Sequence, residues 1–156
     1  MQSSERSHWQ AKKSAEAQIP YSTESLSWDL QRLRNAWIES QSNRERSAIY
    51  GYLQAVYDLV SWWSASGRET DYALQAIRLR RLDPSPRESP FAAVIRCTAD
   101  PAKVDKRTRS KWSRVMLFAA NRRRPGESLA EFVGRNGGIN ACVARRSSYG
   151  LEHKRP

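Results

Sequence analysis

The chain has 156 residues, with 27 Lys or Arg against 16 Asp or Glu and a net charge of +11 at neutral pH. That length supports one domain, with at most a small appendage, whose hydrophobic core needs neither metals nor disulfides. Six tryptophans argue against a disordered chain, and no window carries the roughly eighteen apolar residues of a membrane span.

The cysteines, Cys97 and Cys142, form no CxxC pair, and the two histidines, His8 and His153, lie near the ends. A structural zinc site wants about four such ligands at close spacing, so no metal or other cofactor is expected. Two free, buried thiols in a reducing compartment are the simplest reading, and a single disulfide is the alternative. The first twenty residues hold no apolar run that would serve as a secretory signal. The expectation is a soluble, cytoplasmic protein without a membrane partner.

The excess charge is unevenly placed. Residues 1–89 hold 12 basic and 11 acidic side chains, whereas residues 90–156 hold 15 and 5. An anionic partner for the second half is expected, nucleic acid first among the candidates.

In chain order, residues 1–24 are polar and Ser-rich and predict a loose tail. Leu26, Leu30, Leu33 and Trp37 follow at spacings of four, three and four, which places them on one helical face, with Ser25 or Ser27 as cap. Ser42 and Glu45 have the spacing of a capping box for a second helix. Its stripe runs through Ile49, Leu53, Val56, Val60 and Trp63 to a stop at Gly67. Gly51 within it either weakens the helix or permits close packing. The apolar arc is wide enough to suggest a central helix or a homodimer seam. Trp62 and Trp63 point about 100° apart, so one packs inside while the other covers a neighbour. A third helix, from about Glu69, ends at Asp83-Pro84.

Three prolines within residues 83–90 mark a linker or turn and coincide with the jump in charge. The domain reading is therefore an antiparallel helical bundle over 25–83 and a basic helical subdomain over 84–156. Pro90 opens a segment, "PFAAVIRCTA", that reads as a short helix rather than a strand. Asp100-Pro101 predicts the start of the next helix, which runs to about Asn121. Glu127 or Ser128 starts another, Gly137-Gly138 interrupts it, and "INACVARRSS" is one more. The fold class is all-α.

Two features carry chemistry. The stretch 105–124 holds eight basic residues and one acid. Val104, Thr108, Trp112, Val115, Met116 and Ala119 share one face, while Arg107, Lys111 and Arg114 form a basic stripe beside it that Lys106 extends. Like charges at this spacing destabilise a helix, so the stripe is better explained by phosphate contacts than by helix stability. A solvated face and an acidic protein partner are the alternatives. Arg122, Arg123 and Arg124 then suggest a phosphate clamp, although one arginine would satisfy the helix dipole.

The second feature, residues 128–146, reads as two short helices around a glycine pair, either a helix-turn-helix-like hairpin or an ordinary one. Its second helix would offer Asn140, Arg145 and Arg146 to base edges. No P-loop, nucleophile elbow, zinc-protease or dinucleotide motif is present, so the reading is not an enzyme. A small DNA-binding protein, regulatory or accessory, is expected, gripping duplex DNA mainly by its phosphates. RNA is the other nucleic acid to consider. A protein-binding inhibitor or adaptor acting by shape and charge is the competing class.

Overall fold

A computed structural model describes residues 21–145; Arg146 and most of the expected tail lie outside the described residues. Among the described residues every regular element is helical, in agreement with the all-α reading. Helix α1 spans Thr23–Ser42 and buries Leu26, Leu30, Leu33 and Trp37, the stripe expected from spacing. Its cap is Ser22, whose Oγ accepts from the Ser25 backbone N–H at 3.0 Å, rather than Ser25 or Ser27. The capping box at Ser42 does not form. Helix α1 continues through Ser42, whose hydroxyl donates back to the Glu39 carbonyl. Asn43 Oδ1 instead accepts from the Glu45 N–H at 3.0 Å, and a single 3-10 turn, Arg46–Ala48, leads into α2, Ile49–Ala65.

Helix α2 buries Tyr52, Leu53, Val56, Tyr57, Leu59, Val60 and Trp63, an arc of about 160° at 100° per residue. The stripe that suggested a dimer seam is thus occupied within the chain. Gly67, at φ +69°, ends it with a paired cap: the Arg68 N–H reaches the Trp63 carbonyl and the Gly67 N–H reaches Ser64. Helix α3, Glu69–Leu79, buries Ala73, Ala76 and Ile77 and stops before Asp83-Pro84. Its end repeats the same motif, with Leu82 N–H on the Ile77 carbonyl and Arg81 N–H on Arg78. Here the left-handed position is held by Arg81, at φ +55°, where glycine is the usual occupant.

Helix α4, Pro90–Thr98, is capped by Ser89 and buried on nearly every side, from Phe91 to Ile95 and again at Cys97 and Thr98. It packs on α1, α2 and α3 and on the next helix, α5 (Lys106–Arg122). Burial all round explains why its β-branched residues read ambiguously: no face is polar enough to show a period. Its inward polar group is satisfied, since Thr98 Oγ1 donates to the Val94 carbonyl at 2.8 Å and lies 2.7 Å from the Tyr52 hydroxyl. Burial pushes the Cys97 thiol up to about 12, and both cysteines are free and buried.

Asp100-Pro101 makes a turn instead of a helix start. The Asp100 carboxylate accepts from Ala102 N–H and its carbonyl from Val104 N–H, which plants Val104 in the core. The cap of α5 is Asp105, accepting from Thr108 N–H at 2.7 Å. Helix α6, Leu129–Arg135, is capped by Ser128, and a last helix, α7, occupies residues 139–145. The two glycines between them, at φ +90° and +104°, form a third paired cap. One buried cluster runs from Leu26 to Cys142, so side chains on both sides of the proline-rich segment feed the same core.

A methyl group at Gly51 would meet nothing within 4 Å, so the close-packing alternative fails. Gly51→Ala should raise unfolding free energy by about 0.5–1 kcal/mol in urea titration, because only helix propensity changes. Arg81→Gly should stabilise by about 1 kcal/mol by relieving the left-handed conformation, whereas Gly67→Ala should cost about as much.

Candidate nucleic-acid interface

Helix α5 turns Val115, Met116, Phe118 and Ala119 into the core and leaves its basic residues outside. Tertiary packing divides those residues into two sets. Lys106, Arg109 and Arg114 line a groove of about 930 Å³ whose opposite wall is the turn Ser85–Ser89 with Ala92 and Arg96 of α4. Arg87 on that turn brings the cationic side chains of the groove to five, against one carboxylate, Glu88.

Glu88 is already neutralised. Arg96 Nη2 donates to its Oε1 at 2.9 Å and to the Asp83 carbonyl at 2.7 Å. The pair is largely shielded, with side chains 19% and 10% exposed. These bonds staple the proline-rich turn to α4 and fix the groove wall. The remaining four, Arg87, Lys106, Arg109 and Arg114, make no ion pair among the described residues.

On the other flank of α5, Lys111 Nζ donates to Asn140 Oδ1 on α7 at 3.3 Å. The basic stripe of α5 and the expected reading helix, inferred from separate stretches, are therefore neighbours. Arg107 lies exposed on the same flank. Arg145 is otherwise employed: its Nη1 donates to Asn136 Oδ1 at 2.8 Å, and Asn136 is buried in the α6–α7 turn.

The run Arg122 to Arg124 stands at the far end of α5, about 24 Å along the axis from Lys106 at 1.5 Å per residue. Its middle residue is engaged within the chain. Arg123 donates to the Glu127 carbonyl at 2.6 Å and to the Tyr57 hydroxyl at 3.3 Å, with its guanidinium over the Tyr57 ring. The Arg124 N–H donates to the Glu127 carboxylate, which Arg135 grips with two further bonds at 2.8 and 2.9 Å. Arg123 thereby helps to fasten the connection from α5 to α6.

Sequence reasoning passed over Arg87, Arg96 and Arg109. Arg109 falls outside the Arg107–Lys111–Arg114 stripe on a helical wheel, and Arg87 sits in a segment that reads as linker. A signal for Arg109 did exist, because its spacing of three from Lys106 puts both on one side of α5. No family model, curated protein or solved structure matches the chain.

The hydrogen bonds from Arg135, followed by the Arg124 N–H, lower the Glu127 carboxyl to about 2. A carboxyl depressed in the folded state adds stability above its unfolded value, near 4.3, that is lost as pH falls. Glu127→Gln should therefore be less stable than the parent at neutral pH. The gap should close as the pH drops from about 4.5 through 2, as followed by urea titration.

Proposed function

We propose that the protein binds nucleic acid through phosphate contacts, duplex DNA first, using one cationic surface that runs from the groove across α5 to α7. The observation that supports this reading is that Arg87, Lys106, Arg109 and Arg114 gather around one groove with no ion pair among the described residues, while Arg32, Arg68, Arg96 and Arg135 are all ion-paired. A folded chain gains nothing from converging like charges, so an anion is the natural complement. Arg107 and Lys111 extend the surface toward Asn140. In this reading α6 and α7, joined by the three residues 136–138, act as a helix-turn-helix-like hairpin with Asn140 offered to a base edge. Arg145 would have to leave Asn136 to join it. Regulatory or accessory roles suit a protein that brings contacts rather than chemistry.

Six phosphate contacts, from Arg87, Lys106, Arg107, Arg109, Lys111 and Arg114, predict a log–log slope of affinity against salt of about −5 for duplex DNA. Arg107→Glu with Arg114→Glu should reduce the slope to about −3.6 and weaken binding with the helical circular dichroism unchanged. Loss of the helical signal would mean that the stripe is structural. No binding to duplex at about 50 mM salt would sink the reading, and tighter binding of structured RNA would redirect it.

A protein-binding role is the second reading, favoured by large apolar side chains left outside the core among the described residues, foremost Trp28, Ile38 and Trp62, which are 70%, 57% and 59% exposed. Self-association, if it occurs, would use these rather than the buried face of α2. Sedimentation equilibrium of the full chain tests it: a dimer that dissociates with Trp28→Ala and Trp62→Ala supports this surface, and a monomer at high concentration counts against it.

A further inference from the structure

Helices α2, α3 and α6 end in the same paired cap, but the residue in the left-handed position differs. For α2 and α6 it is Gly67 and Gly137, at φ +69° and +90°. For α3 it is Arg81, at φ +55°, the one residue with a side chain at positive φ among the described residues. Arginine is costly there, because its Cβ crowds the following carbonyl, whereas glycine or asparagine takes the position readily. The Arg81 side chain offsets none of that cost within the described residues: it is exposed and makes no ion pair. Asp83, two residues on, is ion-paired with neither Arg81 nor Arg78.

We infer that Arg78 and Arg81 form a further phosphate contact, at the end of α3, for the duplex that the groove and α5 hold. This rests on the nucleic-acid reading above and adds two residues to it. Arg78 is also exposed and without an ion pair among the described residues. The Arg81 N–H donates to its carbonyl at 3.0 Å, so the two cations stand at one helix end. A single arginine in the last turn satisfies the helix dipole, and Arg78 already occupies that place. Arg81 therefore needs another reason. Strained residues persist where function holds them, and a bidentate guanidinium–phosphate contact is one that glycine cannot make. The position is also fixed relative to the groove. Leu82 packs on the core with its N–H on the Ile77 carbonyl, and the Asp83 carbonyl accepts from Arg96, which grips Glu88 beside Arg87. Arg81 and Arg87 thus stand at the two ends of one segment that Arg96 pins.

The test sets stability against binding, by urea titration and by fluorescence anisotropy with a blunt duplex at several salt concentrations. Each phosphate contact adds about 0.9 to the log–log slope, so a fourfold rise in salt costs it about 3.5-fold in affinity. Arg81→Gly should raise the urea midpoint and yet make the slope shallower by about 0.9. Arg81→Lys keeps the charge on the same backbone and should keep the parent slope. Arg78→Gln with Arg81→Gly should make it shallower by about 1.8. Arg81→Asn, which also accepts the left-handed conformation, must lose as much as the glycine variant, which excludes added backbone freedom as the cause. Parent slope and affinity in Arg81→Gly overturn the inference and leave the proposed function standing. A lowered urea midpoint in Arg81→Gly also overturns it, because the side chain then serves the fold. A parent protein that binds no duplex overturns both.

Discussion

Helix α4 is the constraint on which the rest of the structure depends. Nine residues long, it is too short to be stable alone, yet α1, α2, α3 and α5 all rest on it. It holds together because almost every side chain is apolar and small or flat enough to be surrounded. Ala92 and Ala93 admit close neighbours, Phe91 stacks on Tyr57, and Val94 and Ile95 fill the centre. Its buried hydroxyl, on Thr98, is satisfied by its own backbone and lies beside Tyr52. An unsatisfied group there would cost about 1–3 kcal/mol, a sizeable part of a small protein's stability.

The same helix links the core to the candidate site. Arg96 is its one charged residue, and it emerges where the proline-rich turn passes. By binding Glu88 and the Asp83 carbonyl it sets the position of Arg87 relative to α5. The groove is thus a consequence of how the centre is packed: α4 supplies the floor through Ala92 and the staple through Arg96. Cations on the other wall are then held in place by α5, whose apolar face is locked beneath them.

Basic residues in this chain serve two purposes that composition alone does not separate. Arg123, Arg135 and Arg145 hold connections between helices, each with a named oxygen as partner. Arg87, Lys106, Arg109 and Arg114 have no such partner among the described residues and line one groove. A run of three arginines at 122–124 is the more conspicuous feature in sequence, but Arg123 is engaged with Glu127 and Tyr57. The less conspicuous Arg109 and Arg87 carry more of the functional reading.

Helix identity and the buried faces were legible from the chain, because an amphipathic period of 3.6 is a local property: Leu26 to Trp37, Ile49 to Trp63 and Val115 to Ala119 all pack as their spacing requires. A helix end was legible where one residue stands alone as a candidate, as at Gly67. Where several acceptors compete, at Ser22, Ser42, Asp100 and Asp105, the choice followed from which neighbour was drawn into the core. By itself the sequence determined the all-helical class, the inward stripes and the surplus of positive charge. Tertiary structure alone decided that Arg87 faces α5, that Lys111 meets Asn140 and that Arg145 closes a turn. Those pairings join residues far apart in the chain or across a turn, and they depend on how helices cross, which no local period encodes.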